Sequence, residues 1–459
     1  MEYIHTLPES FLLHSDRARE LYRTVRDLPI FDYHCHLSPR EIAENRPAES
    51  LGALWLANDH YKWRLMRAAG IEERLITGDA PYDEKFLAFA AAVPLAAGNP
   101  VWAWVKMELK AYFDIDTPLN PRTAPEILRE ANRQIAAGGF APRDLMRRSC
   151  VETVVTTDDP ADDLAYHRAL RDEGFEIAVR PGFRPDVAVA GLRRDGFADY
   201  VRAMGATDLD SFLAALERGL DRFAAAGCTL TDLSLADLPA PGGTHAEAAA
   251  AFDRAMNGGP VSDADEQAYQ WVVVRALAAM YASHDLVMQL HLAARRNNRR
   301  ALWRTAGVDC GNDSVGAPIT AAHLCALLDA LDADGVLPRT IVYTLNPSSL
   351  YEIATMLGNF WHGGAGHLNL GAAWWFLDHV DGIEQQLRLQ SATGLLGTFA
   401  GMLTDSRSFT SYPRHDYFRR ILCNVVADWV EQGLYDEAEA PALLRAVSIE
   451  NARSQFSPR

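Results

Sequence analysis

The chain has 459 residues, 49% of them hydrophobic and 23% charged, which excludes a disordered or low-complexity protein and leaves room for one large elaborated domain or two. Lys and Arg number 44 against 61 Asp and Glu, a formal charge of -17, so nucleic acid and anionic membrane surfaces are disfavoured and an anionic ligand needs local arginines. The six cysteines form no CxxC pair, the N-terminus shows no basic-then-apolar signal, and no run approaches the about 18 apolar residues of a membrane span; reduced thiols and a cytoplasmic location are expected.

In chain order, eight short β-rich runs are predicted as strands: LPIFDYH (28–34), VETVVTT (151–157), FEIAVRP (175–181), CTLTDLS (228–234), LVMQLHL (286–292), TIVYTLN (340–346), LNLGAAWWF (368–376) and FAGMLTD (399–405). Segments of helical period lie between them, including Thr207 to Ala225, Ser262 to Ser283 and Ile319 to Asp332, with Tyr417 to Gln432 after the last. Eight strand and helix alternations are the pattern of an α/β protein of the (β/α)8 TIM-barrel type. The first two strands are separated by more than a hundred residues that read as helices. Residues 48–147 are therefore expected to be a mainly helical insertion over the barrel mouth, with 1–47 and 148–459 forming the catalytic barrel.

In such a barrel the residues just past each strand converge on one site. Those positions hold His34 and His36, Asp158 and Asp159, Arg184, Asp232, His291, Asn346, Trp374 and Trp375, and Asp405. A run so rich in His, Asp and Arg favours a site over simple loop caps. Because side chains alternate along a strand, His34 and His36 point one way and Cys35 the other, which removes the cysteine as a ligand. Two imidazoles and the Asp405 carboxylate suit zinc or manganese with positions left open for substrate. His291 is either a further ligand or a substrate contact.

The blocks FDYHCHLSPREIAENR, NDHYKWRLMRAAGI, TTDDPADDL, RPGFRPD, LHLAARRNNR, GNFW and GMLTDSRSFTSYPRHDYFRRILCN together resemble the uronate isomerases of the amidohydrolase superfamily, from about residue 10 to the C-terminus. The resemblance implies a distorted (β/α)8 barrel and the interconversion of glucuronate with fructuronate and galacturonate with tagaturonate. It implies that His34, His36 and Asp405 hold a divalent metal, expected to be zinc, with no nucleotide or redox cofactor. His34, Tyr61, Asp405 and Arg407 are the implied catalytic residues, and His60, Arg184, Asp232, His291, Arg296 and Trp374 the implied substrate contacts. A small sugar acid is the expected partner, with no nucleic acid and no membrane, and a homo-oligomer is the expected assembly. One departure stands out: family members often carry His after the fourth-strand aspartate, where this chain has Leu233.

Isomerising an aldose moves a proton from C2 to C1 through an enediol. Asp405 is the expected base, with Tyr61 as the competing candidate, while Arg184 and Arg296 are expected to hold the C6 carboxylate. The alternative is a metal-dependent hydrolase of the same superfamily. Asp232 and Asn346 stand where many of those hydrolases carry further metal ligands.

Overall fold

The computed structural model describes residues 6–361 and 366–458; residues 1–5, at the head of the expected barrel segment, fall outside that range. Its strands are β1 (Ile30–Asp32), β2 (Val151–Val155), β3 (Ala178–Arg180), β4 (Leu230–Leu235), β5 (Val287–Leu292), β6 (Ala294–Arg295), β7 (Ser314–Val315), β8 (Thr340–Thr344) and β9 (Leu368–Leu370). Seven of the eight predicted runs thus contain a parallel strand. They form two sheets, β1-β2-β3 and β4-β5-β8-β9, while β6 and β7 make a small antiparallel pair. The two parallel sheets meet through Phe183, which bridges Asp158 on one side and Thr231 on the other.

The eighth predicted strand is a correction: residues 399–405 form no strand and run as loop, directly after the short 3-10 turn Leu396–Thr398. The backbone explains this. Gly401 (φ 86°) and Asp405 (φ 47°) sit in left-handed conformations that interrupt a ladder. Gly401 is also required by close approach, since a Cβ there would lie 2.1 Å from the Val447 carbonyl oxygen. The segment nevertheless docks on β1. The Asp405 amide donates to the His34 carbonyl (3.2 Å), the His36 amide to the Ser406 carbonyl (2.9 Å), and the Thr404 amide to the buried Asp32 carboxylate (2.8 Å).

Between β1 and β2 lie the helices Pro39–Glu44, Leu51–Leu56, His60–Ala68, Tyr82–Ala92, Pro100–Phe113, Ala124–Ala137 and Pro142–Arg148. Their buried faces, with Trp55 and Trp104, share one hydrophobic core with Phe31 of β1 and with Tyr417 of the helix Pro413–Glu431. That last helix begins four residues before its predicted start, with Pro413 in the first turn, where a missing amide hydrogen costs nothing. A second core packs the helices Leu209–Ala225, Asp263–Ser283 and Ala321–Ala333 against β4, β5 and β8. Capping boxes at Asp208/Ser211 and Ser262/Asp265 open the first two of these. Among the described residues no helix is long and apolar enough to cross a membrane.

Candidate functional site

A cavity of about 1150 Å³ opens at the C-terminal ends of the parallel strands. His34, His36, His60, Arg184, His291, Arg296, Trp374, Asp405 and Arg407 all line it, although they are scattered over the whole chain. Its floor is made by two sets of buried and half-buried groups. In the first, the Nε2 atoms of His34 and His36 lie 3.3 and 3.0 Å from the same Asp405 oxygen, Oδ1. The left-handed backbone at Asp405 turns its carboxylate onto the histidines. The other His36 nitrogen, Nδ1, is 2.7 Å from the Thr157 hydroxyl, which fixes the ring. Cys35 points away, its thiol donating to the Val155 carbonyl at 3.4 Å.

In the second set, the fully buried Asp232 stands between His291, whose Nδ1 is 2.6 Å from Oδ1, and Arg184, whose Nη1 is 2.7 Å from Oδ2. Arg184 also donates through Nε to Asp186 at 2.9 Å, and Asp186 is itself held by the Ser234 amide. The His291 ring stacks on Tyr343 with 4.3 Å between centroids and meets the edge of Trp374 at 4.6 Å. His291 Nε2 and Trp374 Nε1 are buried without a hydrogen-bond partner among the described residues.

The electrostatics follow from these contacts. Burial opposes charge on Asp405, but the hydrogen bonds from His34 and His36 outweigh it and hold the carboxyl well below its usual range. Burial likewise opposes charge on Asp232, and the Arg184 and His291 charges overcome it. Burial pushes His36 down to about 3 and, with Arg407 beside it, His60 down to about 4, so both imidazoles are neutral. At His34 burial pulls down but the Asp232 charge wins, raising it.

The rim is more open. The Arg296 guanidinium lies over the Trp375 ring, 4.8 Å from its centroid, and its Nη1 is 3.2 Å from Asp313 and 3.6 Å from Asp309. Arg407 donates through Nη2 to Asp309 at 2.9 Å. His60 reaches the wall because Asp59 caps its helix, accepting the Tyr61 and Lys62 amides. Tyr61 is not among the lining residues: its ring stacks behind His60 at 4.7 Å, with the hydroxyl buried and unpaired and the Arg414 guanidinium 5.1 Å from its centroid.

Donor atoms of His34, His36 and Asp405 lie within 4.8 Å of one another, as do those of His34, Asp232 and His291. The first group is the one that fits a divalent cation. Two imidazoles and a carboxylate match the nitrogen and oxygen preference of such ions, and Thr157 holds one ligand in place. In the second group a guanidinium already supplies the positive charge that Asp232 needs.

Thr157, Asp309 and Asp186 line the cavity although the sequence singled out none of them, and Trp375, placed by the sequence at a strand end beside Trp374, lines it as well. Thr157 carried a usable signal, since it lies directly past β2 in the block TTDDPADDL. At Trp375 a φ of 48° breaks the alternation that would send adjacent tryptophans to opposite sides. Asp309 lies in a loop without period and left no trace.

Comparison with known proteins identifies relatives of the whole chain. The family model described as glucuronate isomerase matches residues 3–456. A uronate isomerase from Bacillus licheniformis is 43% identical, covering 98% of this chain and 97% of the relative. The crystal structure of a uronate isomerase from Thermotoga maritima superimposes with a TM-score of 0.93 at 33% identity, over 98% of this chain and 99% of the other. A glucuronate isomerase from Caulobacter crescentus gives 0.91 at 27% identity, over 98% of this chain and 97% of the other.

Proposed function

The chain belongs to the glucuronate isomerase family, and from that membership we infer how its own residues isomerise uronates, converting the aldose acids glucuronate and galacturonate to the ketoses fructuronate and tagaturonate. The observation that carries the chemical reading is the Asp405 carboxylate, which faces a cavity lined by Arg184, Arg296 and Arg407 while two imidazole nitrogens converge on it. We read the architecture as a distorted (β/α)8 barrel in which the docked segment 399–405 takes the eighth place beside β1, with 48–147 folded over the mouth. The parallel order of the strands and the cavity at their C-terminal ends support it.

His34, His36 and Asp405 would hold a divalent ion, zinc by preference. When bound, that ion supplies Lewis acidity toward the sugar's carbonyl oxygen. Asp405 takes the proton from C2 and returns it to C1. Its carboxyl stays ionised over the whole working range, so it is always ready to accept, and the driving force comes from making the C2 hydrogen more acidic. Arg407 adds positive charge beside the developing enediolate. Tyr61 is the weaker candidate for the base: burial and the Asp405 charge hold its phenol well above the usual range, which keeps it a donor.

Arg296 is the better partner for the C6 carboxylate, because it stands at the rim with its cation face on Trp375 and its nearest carboxylate oxygens at 3.2 and 3.6 Å. Arg184 already pairs with two carboxylates, so it fixes Asp232 and presents its remaining N–H groups to sugar hydroxyls. His60, His291 and Trp374 offer the further polar contacts. The hydrolase alternative lacks support at the sixth position, where Asn346 donates to the Gly316 carbonyl and caps the following turn. Incubating the purified protein with glucuronate and with galacturonate, before and after chelation, tests the reading. Ketose formation that chelation weakens is expected; turnover of lactones or amides in place of uronates would contradict it.

A further inference from the structure

Asp309 is a cavity-lining carboxylate that the chemistry above does not use. Its carboxylate bridges two guanidinium groups, with Oδ2 2.9 Å from Arg407 Nη2 and Oδ1 3.6 Å from Arg296 Nη1. These are its hydrogen bonds and ion pairs among the described residues. The residue sits on the excursion between β6 and β7, which leaves the end of β5 and crosses to the helix His60–Ala68, where Arg67 donates to the Cys310 carbonyl and Arg64 to the Asp313 carbonyl. It therefore stands over the mouth of the cavity it lines.

Its neighbour Asp313 differs in kind. That carboxylate is buried, and its second oxygen accepts the Asn297 amide at 2.7 Å, so it is part of the loop's framework. Asp309 has no such backbone tie, and its side chain is 44% exposed. A half-exposed carboxylate held by side chains alone is exchangeable: another carboxylate entering from solvent replaces it with little change in charge, whereas a neutral hydroxyl does not.

We propose that Asp309 is a specificity-determining residue, a built-in stand-in for the substrate's carboxylate that keeps Arg407 occupied until an acidic sugar claims Arg296 and displaces it. The proposal rests on the assignment of Arg296 to the C6 carboxylate and of Arg407 to the enediolate. It explains how one pocket discriminates by charge at two points. A uronate binds Arg296, releases Asp309 and so frees Arg407 for the reacting end, while a neutral aldose of the same stereochemistry leaves Arg407 paired and gains neither contact. It also accounts for a cost: the uronate must compete with a tethered anion, so wild-type KM is higher than the arginines alone would allow.

The variant Asp309→Asn tests this, because asparagine matches the shape and accepts the φ of 55° at this position. Asp309→Gly, which also accepts that backbone, serves as the second variant if the first folds poorly. Kinetics with glucuronate and with glucose are compared in the metal-loaded wild type and variants. The expected result is a KM for glucuronate lowered about fivefold or more, with the preference for glucuronate over glucose reduced about tenfold, the scale of one half-buried ion pair. An unchanged or raised KM with an unchanged preference overturns the proposal and makes Asp309 a structural strut. Arg296→Ala separates this from failure of the underlying assignment: if its loss of kcat/KM is equal for glucuronate and glucose, Arg296 is not the carboxylate's partner.

Discussion

The floor and the rim of the cavity both pair carboxylates with arginines, yet they behave as different materials. On the floor, Asp405 and Asp232 are each gripped by two cationic or imidazole partners and are almost or wholly excluded from water. At the rim, Arg296, Arg407 and Asp309 are partly exposed and joined by contacts of 2.9 and 3.6 Å. Burial makes a floor pair costly to break and fixes its geometry before substrate arrives. Exposure makes a rim pair cheap to exchange. The floor is thus suited to moving a proton at a fixed place, and the rim to choosing which sugar enters.

Variants should divide along the same line. The largest effect is expected at Asp405→Asn, which removes the base: kcat for glucuronate should fall about a thousandfold while ligand titration shows the sugar still binding. Turnover within tenfold of wild type, on the order of a single ordinary contact, would move the base elsewhere. Next comes Asp232→Asn, which removes the fully buried member of its ion pair and strips Arg184 of one of its two carboxylates. A destabilisation of about 3 kcal/mol is expected, read as a lower thermal midpoint and denaturant midpoint. Arg296→Lys at the rim should raise KM for uronates about tenfold, leave the thermal midpoint close to wild type and spare neutral aldoses. Thr157→Val should weaken metal binding about tenfold, measured by competition with a chelator, because His36 loses the partner that orients it.

The smallest effect concerns pH. Burial raises the Asp378 carboxyl from 3.8 to about 7. The folded chain keeps this proton through a range in which the unfolded chain has lost it, so the stability it contributes is complete below about 4 and is lost as pH rises through about 7. The thermal midpoint of Asp378→Asn should therefore fall less than that of wild type between about pH 5 and pH 8. An equal fall in both would assign the pH dependence to other buried carboxyls, such as Asp158, also raised by burial to about 7.

Much of the floor was legible because strands announce themselves by runs of β-branched residues and place their last polar residue at a common rim. His34, Asp232 and His291 were found by position alone. Asp405 was found by the same rule although its segment forms no strand, since docking on β1 delivers it to the place a strand would. What escaped or was read only in part depended on backbone that side-chain patterns do not encode. The left-handed turn at Trp375 brings both tryptophans to the cavity, and the loop carrying Asp309 is placed by contacts with a helix some 250 residues earlier, such as that from Arg64 to Asp313 with a sequence separation of 249. Tyr61 shows the converse, a residue correctly brought to the site's neighbourhood but held behind His60.

The central claim is that one carboxylate, working from one face, carries hydrogen from C2 to C1. Converting unlabelled glucuronate with the metal-loaded wild-type protein in heavy water tests it most directly, with the ketose read by NMR. Because one carboxylate serves both carbons from one face, any deuterium gained is predicted at a single stereochemical position of C1, with the remainder of the hydrogen there carried over from C2. Ketose with deuterium spread equally over both C1 positions would contradict the account.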